Sequence, residues 1–78
     1  MSPSTAVHRG PARNALSLRQ LDVVRLIAED LTSKQIAASL GISVKTVTFH
    51  RTEIKRQLGV KGTAGIVRWA MRNGVIEA

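Results

Sequence analysis

Between Leu16 and Ile76 the apolar residues fall into four groups with helical spacing, separated by short runs rich in glycine, serine and threonine. Leu21, Val24, Ile27, Ala28 and Leu31 recur at three- and four-residue steps. That spacing places them on one face of a helix over 18–30, with Arg19, Asp22, Arg25 and Glu29 mostly on the other. Ser17 and Gln20, three residues apart at its start, have the form of a capping box. Thr32 and Gln35 repeat that form ahead of Ile36, Ala37 and Leu40, which predicts a second helix over 33–40. Gly41 then stands where a helix end calls for a left-handed residue, because glycine adopts positive φ without steric cost. Ile42 follows as an apolar plug, and Ser43 is placed to cap the next helix.

The third helix is predicted over 44–58, roughly 22 Å long and so able to cross a major groove. Val47, Ile54 and Leu58 form its core-facing stripe, and His50 falls on the edge of that stripe. Lys45, Thr48, Phe49, Thr52, Lys55 and Arg56 point away from it. Gly59 ends the helix. After a short connection, Thr63 is placed to cap a last helix over 64–73 that closes at Gly74. Ile66, Val67, Trp69, Ala70 and Met71 give that helix more apolar residues than one narrow stripe needs, and Val75 and Ile76 follow it. The pattern predicts an all-α, four-helix domain over 16–78 with a helix-turn-helix at its centre. Residues 1–15 hold both prolines and show no helical period; they read as a flexible arm made basic by Arg9 and Arg13.

Composition narrows the function. The chain has 78 residues, which bounds it to one small domain. Twelve Lys and Arg against five Asp and Glu give a net charge of +7, so a polyanion or an acidic surface is the expected partner. The absence of cysteine removes disulfides, thiolate metal sites and cysteine nucleophiles. His8 and His50 are far apart and lie in no metal-binding pattern, so neither a metal nor a cofactor is expected. No paired carboxylates, nucleophile–base pair or phosphate loop is visible, which argues against an enzyme. No apolar run approaches the roughly 20 residues of a transmembrane helix. A soluble, cytoplasmic protein is expected, without a membrane partner.

The run LSLRQLDVVRLIAEDLTSKQIAASLGISVKTVTFHRTEIKRQLGV, followed by a last helix ending in NGVI, resembles the LuxR-type (GerE- or NarL-like) DNA-binding domain over about residues 16–77. The specific parts are LIAEDLTSKQIA, LGISVKTV, His50 three residues after Val47, and the QLGV that closes the long helix. The resemblance implies bacterial transcription regulation through double-stranded DNA, with the third helix in the major groove. It also implies a homodimer formed through the last helix on a two-fold site, RNA polymerase as a further partner, and a place at the nucleoid. By position in the family pattern, Thr48, Phe49 and Thr52 are the base-reading candidates. Thr48 stands where the family often carries lysine. Lysine is the usual guanine reader, whereas a threonine methyl suits a thymine methyl, and Phe49 suits a thymine methyl or a sugar.

Lys34, Lys45, Thr46 and His50 match backbone-phosphate contacts, which free N–H groups and the positive end of a helix favour. Arg51 adds neutralisation. Ile66, Trp69 and Ala70 are the candidates for the dimer interface. Each group also has a plainer reading: Lys55 and Arg56 as solvated cations, His50 and Phe49 as packing residues, and Trp69 with Ile66 as core. Two other functions stay open on the same fold. One is promoter binding like that of sigma-factor region four, against which stand His50 and the extra last helix. The other is an anti-activator-like module that docks on a protein. The 78 residues are expected to be either a stand-alone regulator or part of a longer one.

Overall fold

A computed structural model describes residues 16–77; the basic arm expected over 1–15 lies outside them. Among the described residues there are four helices and no strand: α1 (Leu18–Ala28), α2 (Ser33–Leu40), α3 (Val44–Leu58) and α4 (Thr63–Arg72). The all-α expectation holds, and α2 and α3 have the predicted bounds. No helix among these residues is long and apolar enough to cross a membrane.

Three of the starts are built by the expected side chains. The Ser17 hydroxyl accepts from the Gln20 N–H at 3.0 Å, and the Gln20 side chain accepts from the Ser17 N–H at 3.1 Å. Thr32 and Gln35 exchange the same pair of bonds at 3.1 and 2.8 Å. Ser43 accepts from the Thr46 N–H at 3.0 Å. Each cap satisfies donors that the first helical turn leaves without an intrahelical partner. The fourth start differs from expectation. Gly62, not Thr63, is the N-cap of α4, and no side chain caps it. Thr63 is already helical, and its hydroxyl accepts from Arg51 instead.

The four helix ends share one device. Asp30, Gly41, Gly59 and Gly74 all have φ near +70°. The residue after each one sends its N–H back five positions: Leu31 to Leu26, Ile42 to Ala37, Val60 to Lys55 and Val75 to Ala70, at 2.9–3.2 Å. This is the Schellman closure, which satisfies a terminal carbonyl and folds an apolar residue back onto the helix. Val75 is buried, and Leu31, Ile42 and Val60 pack against the core. The same closure explains why α1 ends at Ala28 and not at 30. Asp30 takes the left-handed position, which a short polar side chain tolerates better than most, so the reversal comes two residues before the periodic pattern runs out.

One core joins all four helices: Val23, Val24 and Ile27 of α1, Ile36 and Ala37 of α2, Val47 and Ile54 of α3, and Ile66, Trp69 and Ala70 of α4, with Leu16 and Val75 at the ends. The stripe expected on α3 is present, with Leu58 half-buried at its end. The face of α1 is turned roughly 60° from the expected one, at about 100° per residue. Gln20 and Val23 are buried, while Leu21, Ala28 and Leu31 are only half-buried. The reason is that α1 packs against all three other helices, so neighbours on several sides set its buried arc. Gln20 tolerates burial because the capping box uses its amide oxygen.

The approach of α4 to the end of α3 is close. A Cβ on Gly65 would lie 2.7 Å from the Val60 Cβ and 3.1 Å from its Cγ1. Gly65→Ala is therefore expected to lower stability by about 1 kcal/mol net, overpacking outweighing alanine's better helix propensity. In a domain of this size that is a fall in Tm of about 4–8 °C by thermal melting. An unchanged or higher Tm would show that Val60 moves aside freely.

Candidate nucleic-acid interface

The burial of Val47 and Ile54 decides which way the rest of α3 points. Lys45, Thr48, Phe49, Thr52 and Arg56 are exposed on the opposite side. Phe49 is 59% exposed, so it is a surface residue and not part of the core. The three residues expected to read bases, Thr48, Phe49 and Thr52, thus share one open face.

The expected phosphate-contacting residues lie on α2 and α3. Lys34 and Lys45 are each the second residue of a helix, α2 and α3, and both are exposed. Neither first turn contains an acidic residue. A lysine there opposes the helix macrodipole, which favours anions at that end by roughly 0.3–1 kcal/mol. The arrangement suits an incoming anion better than it suits the isolated domain. Thr46 is exposed, and its Oγ1 accepts from the Ser43 hydroxyl at 2.9 Å, which leaves its own hydroxyl hydrogen to donate.

His50 is half-buried, and its Nδ1 is enclosed without a partner. An imidazole carrying its proton on Nε2 buries only an idle acceptor at Nδ1, whereas the other tautomer would bury an orphaned N–H. The enclosed Nδ1 bears out the packing reading of His50.

Arg51 is half-buried and donates from Nη2 to Thr63 Oγ1 at 3.1 Å. That bond ties α3 to the first residue of α4, a tie that nothing in the local spacing revealed. Arg56 donates to Glu53 at 2.7 Å. The Arg56 hydrogen bond holds the Glu53 carboxyl below the ordinary carboxylate value and pushes Arg56 further up. The pair is intact above the lowered Glu53 value and is lost as pH falls through it. Lys55 is half-buried.

Charge is divided between the two halves of the domain. Residues 33–58 contain five Lys and Arg against Glu53 alone, and Glu53 is already paired with Arg56. Residues 16–32 contain Arg19 and Arg25 against Asp22, Glu29 and Asp30. The open cleft of about 410 Å³ beside Gly59–Gly65 and the one of about 340 Å³ between Asp22 and Leu40 include none of Thr48, Phe49 or Thr52.

The dimer candidates fare differently. Ile66, Trp69 and Ala70 are 1%, 9% and 0% exposed. They pack inside the domain and are not available to a second copy. Their spacing is that of a buried face, and the surplus of apolar residues on α4 reflects its place across α1 and α3.

Two helices joined by a tight turn, with the second presenting a basic outer face, define a helix-turn-helix domain. Residues 14–70 match the model of the bacterial regulatory proteins of the luxR family (GerE), and the chain belongs to that family. It is 38% identical over 62 residues to the transcriptional regulatory protein MctR of Rhizobium johnstonii, covering 80% of this chain and 29% of the relative. It is 40% identical over 62 residues to the oxygen regulatory protein NreC of Staphylococcus aureus, with the same coverage of 80% and 29%. The chain thus spans less than a third of the length of these curated relatives. Its domain is of the DNA-binding, transcription-regulating class.

Lys45→Glu separates stability from function. It places a favourable charge at the start of α3 and is expected to raise stability by roughly 0.3–1 kcal/mol. The same change is expected to weaken duplex binding. Thermal melting and a binding titration on one preparation check both halves; a variant that is neither more stable nor weaker in binding contradicts the charge argument.

Proposed function

We propose that α3 lies in the major groove of double-stranded DNA, with Thr48, Phe49 and Thr52 toward base edges. Lys34, Lys45, Thr46, His50 and Arg51 hold the flanking phosphates. The observation that carries this reading is the open face of α3, bordered by two lysines at helix starts where the fold itself would favour acids. Phosphate contacts of that kind supply affinity and register, while the side chains between them supply sequence preference. The domain then acts in bacterial transcription, at the nucleoid in the cytoplasm, with RNA polymerase as a partner of the bound complex.

The test is a salt titration on duplex DNA. The logarithm of the binding constant should fall by about 0.9 per neutralised phosphate for each unit of log salt. Lys34→Ala should weaken binding equally on all sequences and reduce that slope by about one contact. A flat salt response, or no duplex binding at low salt, overturns the proposal.

The same reading includes two copies on a two-fold site, with half-sites roughly 10 base pairs apart. With Ile66, Trp69 and Ala70 in the core, the face of α4 left for a second copy is Ala64, Val67 and Met71. These lie at i, i+3 and i+7, with Ala64 and Met71 exposed and Val67 half-buried. Met71→Glu is expected to abolish the preference for duplexes with two half-sites while leaving binding to a single half-site unchanged. Equal loss on both duplexes would place Met71 outside any dimer contact.

A further inference from the structure

Phe49 is the more exposed of the two large apolar residues on α3 that reach solvent, the other being Val44 at the first turn. It contributes nothing to the core. Its ring is nevertheless braced: the ring centroid lies 5.9 Å from that of His50, tilted by 59°. That separation is within the range of favourable aromatic pairs. His50 is itself anchored, with one ring nitrogen enclosed. An exposed aromatic held in place, amid cations and with no unpaired acid on its helix, is arranged to meet something on the DNA side of the domain.

Thr48 and Thr52 flank it, both exposed. None of these three side chains carries the paired donors that hold guanine O6 and N7, nor the amide that holds adenine N6 and N7. They present an aromatic ring, two methyl groups and two hydroxyls that serve as donor or acceptor alike. Of the base edges in the major groove, only thymine offers an apolar group, its C5-methyl.

We infer that Phe49, with the methyl groups of Thr48 and Thr52, reads thymine C5-methyl groups. Preferred sites are then marked at the centre of each half-site by thymine and not by guanine. This rests on the major-groove reading above and specifies which atoms carry its sequence preference.

The experiment uses the 78-residue chain and a duplex selected by it from a random pool. Each thymine is replaced singly by uracil, which removes the C5-methyl and keeps the pairing edge. At one or two positions per half-site the replacement should weaken binding about fourfold, the equivalent of ~0.8 kcal/mol for one buried methyl-sized group. Thymines outside the footprint of α3 should show no change. In Phe49→Ala, which removes a surface side chain, the thymine-to-uracil ratio at those positions should fall to one. Thr48→Ser, which keeps the hydroxyl, should reduce it.

A selected sequence preferred over random duplex but indifferent to uracil overturns this inference and leaves the DNA-binding reading standing. The same holds if Phe49→Ala weakens thymine and uracil duplexes equally, which would place the ring on a sugar. Failure to bind any duplex at low salt overturns both readings and turns the exposed face toward a protein partner.

Discussion

The burial of Val47 and Ile54 is the constraint on which the rest of the molecule depends. Both are fully enclosed, seven residues apart on α3. Two such anchors fix the rotation of a helix as well as its position. At about 100° per residue, Lys45, Phe49, Thr52 and Arg56 fall within roughly 30° of the direction opposite the core. The outward face is a geometric consequence of the inward one. Ile36, Ala37, Val24 and Ile27 share one core with the anchors, so α1 supports that face through packing, while α2 supports it and also carries the exposed Lys34.

The helix ends make that packing reproducible. Each of the four turns at a left-handed residue and then folds an apolar residue back. The chain reverses direction within two residues and has little freedom to displace α3 along its axis. Against this well-satisfied frame, the first turns of α2 and α3 stand out. Their caps are complete, yet each carries a lysine where the macrodipole favours an acid. Arg19 holds the same second position in α1, where Asp22 lies 3.9 Å from it; α2 contains no acidic residue and α3 only Glu53, which is paired with Arg56, so the basic charge there suits a polyanion. The segment 16–32, where acids slightly outnumber bases, shows that the basic character is placed and not spread evenly.

Membership of the luxR family accounts for the architecture and for the DNA-binding class. It does not by itself account for Phe49. A braced, exposed aromatic with two neighbouring threonines gives this face of α3 a chemistry of methyl and ring contacts, where forked cations or amides would give one of paired hydrogen bonds. In the proposed complex Lys34, Lys45 and Arg51 neutralise phosphate charge and carry no information about sequence.

Much of this was legible in the residues alone, because it depends on local chemistry. The caps at Ser17, Thr32 and Ser43 and the glycine stops at 41 and 59 are short-range features whose geometry is set within a few residues. The stripe of α3 is legible too, since it has a single apolar side. What the sequence could not determine depends on several neighbours at once. Leu21 and Val23 are equally apolar, and only the three helices around α1 decide that Val23 is enclosed. Asp30 ends α1 because the chain must turn there to reach α2, not because aspartate demands it. Thr63 looks like a cap until Arg51, twelve residues earlier, takes its hydroxyl. Ile66, Trp69 and Ala70 look like surplus apolar surface until α1 and α3 cover them. Periodicity states that a residue avoids water; which surface, within the domain or on another molecule, shields it is decided only when the helices have packed.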